Sequence, residues 1–153
     1  MFTGIIQAVG EVAAIEQTGG DVKLRIKTGT LPLEDVHLGD SIATNGVCLT
    51  VTELPGDGYW ADVSTETLSL TSLKTIGVGS AVNLEKSLTP TTALGGHLVS
   101  GHVDGLGRVV GLTRDARSWR VSIEAPSDLA RYIAQKGSIC VDGTSLTVNS
   151  VEG

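Results

Sequence analysis

Ser41-Ile42-Ala43-Thr44-Asn45-Gly46-Val47-Cys48-Leu49-Thr50-Val51 returns 97 positions later as Ser138-Ile139-Cys140-Val141-Asp142-Gly143-Thr144-Ser145-Leu146-Thr147-Val148. Each copy is a run of apolar and β-branched residues broken once by Asn-Gly or Asp-Gly. Those dipeptides favour the positive φ that joins two strands tightly, so each stretch reads as a β-hairpin. Outward in the same register, Gly4 falls on Gly101, Gly10 on Gly107, Val12 on Val109 and Ile26 on Ile123. Residues 1–56 and 98–153 share eleven identities without a gap, where unrelated segments of ordinary composition would share roughly three or four. The chain is internally duplicated, with units at 1–97 and 98–153.

The rest of each unit reads as β. Val22–Ile26 and Trp119–Ile123 alternate apolar and polar residues, the period of a half-buried strand, and turn residues precede both. Two short helices are expected. One is capped by Ser64 or Thr65 and runs to about Thr75; the other is capped by Ser127 over Asp128–Gln135 and closed near Gly137. Many short strands with isolated helices predict an all-β fold of two tandem Greek-key barrels. Residues 57–97 have no counterpart after residue 153. The second barrel is therefore expected to be incomplete, as part of a longer protein or as a half-barrel that something else completes.

Composition narrows the function. The formal charge is −6 and aromatic residues make up only 3%. That balance offers neither the basic stripe that neutralises phosphates nor the stacking platforms that hold single strands, so nucleic acid is not the expected partner. No stretch approaches ~20 uninterrupted apolar residues, and no membrane span is expected. The amino terminus lacks the pattern of a signal peptide. Cys48 and Cys140 lie far apart and outside any CxxC pattern, which argues against a structural metal site and fits a reducing cytoplasm.

Three groups of residues could carry chemistry. At equivalent positions after the paired turns stand Cys48 and Ser145, each two residues before a threonine, Thr50 or Thr147. They are either small packed residues of two hairpins or a thiol and a hydroxyl able to hold or attack a polar heterocycle. The Gly95–Gly105 stretch carries His97 and His102. These are linker histidines or proton-transfer groups working near neutrality. Lys136, opposite Gly39 in the repeat, reads as a lysine near a helix C-terminus.

Met1–Ile6, Asn45–Val51, Gly95–Asp104 and Asp142–Val148 together resemble riboflavin synthase of the single-chain type, and the similarity covers the whole chain. The resemblance implies two similar six-stranded barrels followed by a trimerising helix. It implies dismutation of two molecules of 6,7-dimethyl-8-ribityllumazine, by transfer of a four-carbon unit, to riboflavin and 5-amino-6-ribitylamino-2,4-pyrimidinedione. No cofactor or metal is implied, and a homotrimer is expected when the chain is full length. By resemblance, Cys48, His102 and Ser145 are the catalytic candidates. The binding candidates are Phe2, Thr3, Gly4, Ile5 and Ile6; Ser41, Cys48, Leu49 and Thr50; Asp62, Val63, Ser64, Thr65, Glu66 and Thr67; Gly101, His102 and Val103; and Lys136, Ser145, Leu146 and Thr147. Phe2 and Thr3 are expected to line the first pocket. A lumazine-carrying antenna protein of the same fold is the alternative.

Overall fold

The computed structural model describes residues 1–152, so Gly153, the repeat partner of Gly56, lies outside the described residues. The first unit is a closed six-stranded barrel. Its strands are β1 (Ala8–Thr18), β2 (Asp21–Lys27), β3 (Ser41–Thr44), β4 (Val47–Glu53), β5 (Gly58–Val63) and β6 (Ala81–Lys86), hydrogen-bonded in the order β1-β2-β5-β4-β3-β6 and back to β1. Alternation decides what faces inward. Val22, Leu24 and Ile26 of β2, Val47, Leu49 and Val51 of β4, and Val82 and Leu84 of β6 are buried in one core with Val12, Ile42, Tyr59 and Val63. Each such aliphatic side chain contributes about 1.5–3 kcal/mol on leaving water. Tyr59 is wholly buried, and its hydroxyl is satisfied by Thr44 Oγ1 at 2.5 Å. Closure leaves no open edge.

The second unit repeats the local geometry of the first. Strands β7 (Arg108–Asp115) and β8 (Ser118–Glu124) form one hairpin, and β9 (Ser138–Val141) and β10 (Thr144–Thr147) another. Ser41 pairs with Thr50 and Ala43 with Cys48; 97 residues later, Ser138 pairs with Thr147 and Cys140 with Ser145. Even the irregularity is duplicated, because the β1–β2 register shifts between Val12 and Ala14 and the β7–β8 register between Val109 and Gly111. The turns match as well. Asn45 and Gly46 have φ of 48° and 78°, Asp142 and Gly143 of 44° and 83°.

The two helical expectations need correction. Ser64 caps a helix, α1 (Thr65–Leu70), which stops short of Thr75, and a 3-10 turn (Ser72–Thr75) follows a break at Thr71. Thr71 is extended, and its hydroxyl turns back to the Thr67 carbonyl, a local bond that competes with helical continuation. Asp128–Gln135 forms only a 3-10 turn at Ala130–Tyr132, none of it buried. A segment this short holds a helix only if one face packs, which here it does not. Lys136 is accordingly not at a helix end. It adopts φ 67° at the place where the first unit has Gly39 at φ 92°, and its N–H donates to the Val148 carbonyl as that of Gly39 does to Val51.

Candidate functional site at the exchanged straps

The inward set of the first barrel leaves Ser41, Ala43, Cys48 and Thr50 on its outer face, because they alternate with the buried Ile42, Val47, Leu49 and Val51. Against that face lies a segment of the other unit. The Cys48 N–H donates to the Gly101 carbonyl at 2.9 Å, and the Ser145 N–H donates to the Gly4 carbonyl at 2.7 Å. Gly101 and Gly4 are repeat equivalents, as are Cys48 and Ser145. The two units thus exchange short straps, each lying on the β-hairpin of the other. The exchange is centred on Phe2 and Val99, themselves equivalent, which bond each other in both directions at 2.8 and 3.0 Å. Gly46 meets Gly143 on the same line, each too close to the other's backbone for a Cβ. Phe2, Ala43 and Val99, with Cys48 and Cys140 against them, form a small apolar cluster.

The straps are built alike. Thr3 Oγ1 accepts the Ile5 N–H at 3.1 Å, and Ser100 Oγ accepts the His102 N–H at 3.1 Å. Gly4 and Gly101 have φ of 76° and 80°, a region open to glycine at little cost. There is no room for more: a Cβ on Gly4 would lie 2.7 Å from Ser145 Cβ, and one on Gly101 2.8 Å from Cys48 Cβ and 2.6 Å from the Phe2 ring.

The candidate residues divide accordingly. Around Cys48 gather Ser41, Thr50 and Gly101, with His102 and Val103 exposed beyond. The β4–β5 register, Val51 against Ala61, runs on towards Thr50 and Asp62. Past Asp62, Ser64 accepts the Thr67 N–H, and Thr65 and Glu66 open α1. Leu49 and Val63 turn into the barrel core, so their side chains do not face this surface. Around Ser145 gather Gly4, with Ile5 exposed and Ile6 half-buried, and Thr147 on the same face of β10. Leu146 is the counterpart of Leu49, but it is exposed because no closed barrel surrounds it. Phe2 is fully buried on the central line, and the Thr3 hydroxyl turns to Glu85.

The structure gives Ser145 a histidine partner other than the expected His102. His97 Nδ1 and Ser145 Oγ share a 2.7 Å hydrogen bond, whereas His102 is exposed. Gly96, next to His97, allows this close approach, because a Cβ there would lie 2.1 Å from the Thr3 carbonyl. Burial pushes the Cys140 thiol up, and the nearby Glu85 and Asp142 charges push the same way. That leaves it a neutral packing group opposite Ser145. Two clefts, of about 750 and 490 Å³, border the β2–β3 connection and the start of β1, and neither touches Cys48 or Ser145. Among the described residues, no three His, Cys, Asp or Glu side chains converge to hold a metal ion. Among the described residues, no helix is long and apolar enough to cross a membrane.

Comparison with known proteins places this geometry. The lumazine binding domain family matches residues 3–87 and again 100–153. A riboflavin synthase of Photobacterium phosphoreum is 52% identical over 153 residues, covering all of this chain and 70% of its own length. That of Bacillus subtilis is 43% identical over 148 residues, 97% of this chain and 68% of its own. A crystal structure of LumP complexed with riboflavin superposes with a TM-score of 0.88 at 28% identity, covering 99% of this chain and 82% of that one. LumP complexed with 6,7-dimethyl-8-(1'-D-ribityl) lumazine gives a TM-score of 0.85 at 27% identity, covering 99% and 81%. Two tandem matches to one domain, in step with the internal duplication, settle the relationship: this chain belongs to the riboflavin synthase family of paired lumazine-binding domains.

Proposed function

We propose that this chain carries the substrate-binding barrels of a riboflavin synthase, a transferase that dismutates two molecules of 6,7-dimethyl-8-ribityllumazine. One molecule donates a four-carbon unit and leaves as 5-amino-6-ribitylamino-2,4-pyrimidinedione; the other accepts it and becomes riboflavin. The observation that carries the reading is the pairing of equivalent sites, Cys48 under the Gly101 strap and Ser145 under the Gly4 strap. A reaction between two copies of one substrate needs two similar seats held in fixed orientation, and orientation supplies much of the acceleration. The units are taken as 1–97 and 98–153.

In this reading Cys48, Ser145 and His102 act at the reacting heterocycles, and the Ser145–His97 bond supports a proton path at the second seat. The Cys48/Ser145 difference assigns donor and acceptor. Ser41, Thr50 and the Asp62–Thr67 segment hold the first ligand; Lys136, Thr147 and the backbone of Gly4–Ile6 hold the second. Neither seat borders the clefts at the β2–β3 connection and the start of β1. That supports a homotrimer in which a neighbouring subunit closes each seat, and the free thiols of Cys48 and Cys140 support a cytoplasmic setting. Incubation of the natural protein with the lumazine tests the reaction. Growth of riboflavin fluorescence with turnover is expected, whereas bound lumazine without product would assign an antenna role instead. Sedimentation at a trimer mass tests the assembly.

A further inference from the structure

Glu85, on β6, is a carboxylate without a role in that reaction, yet it is only 2% exposed. A buried carboxylate persists where donors surround it. Its donors come from the amino-terminal strap: Oε1 accepts the Thr3 N–H at 2.6 Å and the Thr3 Oγ1 hydroxyl at 2.5 Å, and Oε2 accepts the Gly4 N–H at 2.9 Å. The next N–H, of Ile5, reaches the same carboxylate through Thr3 Oγ1. Two successive N–H groups meet the anion directly and a third meets it through the Thr3 hydroxyl, a nest that the positive φ of Gly4 permits.

The other ends of those peptide groups point into the second unit. The Phe2 carbonyl accepts the Val99 N–H, the Thr3 carbonyl the His97 N–H at 3.0 Å, and the Gly4 carbonyl the Ser145 N–H at 2.7 Å. A peptide group is planar, so fixing its N–H fixes the direction of its carbonyl. A negative charge at the N–H end also strengthens acceptance at the carbonyl end. The two amides received by Thr3 and Gly4 belong to the residues whose side chains meet at 2.7 Å, His97 and Ser145.

We propose that Glu85 is a positioning residue: through three strap peptides, a carboxylate in the first barrel sets the hydrogen bond between His97 and Ser145 in the second seat. Its consequence for turnover rests on the synthase reading; the positioning itself does not. Nitrogen-15 spectra of the histidine side chains in the ligand-free chain test it, with the exposed His102 as internal reference. In the wild type and in Thr3→Ser, which keeps the hydroxyl, His97 should show one fixed tautomer. In Glu85→Gln and Thr3→Val it should move to the averaged pattern of His102 while the Tyr59 core signals stay put. In the natural enzyme Glu85→Gln should lower kcat roughly 100-fold, with KM changing far less.

An unchanged His97 signal in folded Glu85→Gln overturns the proposal. If Glu85→Gln does not fold, the Thr3 pair decides, and identical His97 signals in Thr3→Val and Thr3→Ser overturn it. Shifted His97 signals alongside a wild type that binds no lumazine would uphold the positioning and sink the synthase reading alone.

Discussion

Cys48 and Ser145 sit at one position of a repeated hairpin, each with its N–H bonded to a glycine carbonyl of the other unit. The backbone environments match, so the chemical difference between the seats lies in the side chains. A thiol ionises far more readily than a hydroxyl and is the better nucleophile. Ser145 instead shares its hydroxyl with His97. Cys48→Ala and Ser145→Ala in the natural protein should each depress turnover by roughly 10²–10⁴-fold while changing lumazine affinity much less. Steady-state rates beside fluorescence titration check this, and an unaltered kcat in both variants removes the pair from the chemistry. His97→Gln should fall in the same range, because glutamine can bond Ser145 but cannot take its proton at neutral pH.

At the scale of elements, the straps and hairpins answer to glycine. Gly101→Ala places a side chain at φ 80° against Cys48 and Phe2. It should cost about 1–2 kcal/mol for the backbone, with about 1–3 kcal/mol more for overpacking. The strap should then lift from Cys48 and leave its thiol more open to alkylation. Gly77→Ala, with nothing within 4 Å and no positive φ, should leave both the melting temperature and the Cys48 alkylation rate near wild type. Equal alkylation rates in the two variants would remove the strap as a cover. The hairpins were legible in the sequence because Asn45-Gly46 and Asp142-Gly143 fix their turns locally, and β2 and β8 were legible from period-2 alternation. The expected helix at Asp128–Gln135 was not formed, since a cap and a propensity do not supply a packed face. The His97–Ser145 bond was hidden for the opposite reason. It joins residues 48 apart through a strap that local patterns do not encode, and Glu85 carries no sequence mark of its burial.

Over the whole molecule the same sequence pattern meets two fates. Val12 is 0% exposed and its counterpart Val109 59%; Val22 is 6% exposed and Trp119 62%. Local geometry is retained in both units, down to the shared register shift, so strand pairing alone does not bury these side chains; closure of the sheet does. Isolated two-stranded hairpins are marginal in water, and amide protection follows the free energy of local opening. Hydrogen exchange on this chain should therefore separate the units. Amides of Leu24, Ile26 and Leu84 should exchange only through cooperative unfolding of the barrel, orders of magnitude more slowly than those of Val121 and Ile123. The β9–β10 hairpin should fall between, because Gly143 is buried against Gly46 and the Asn83 side chain donates to the Asp142 carbonyl at 2.9 Å. Asn83→Ala removes that donor, so it should speed exchange in β9–β10 while leaving β7–β8 as it was. Equal protection of the two hairpins in the wild type would mean that contact with the first barrel does not hold the second seat in place. The orientation of Ser145 would then have to come from elsewhere.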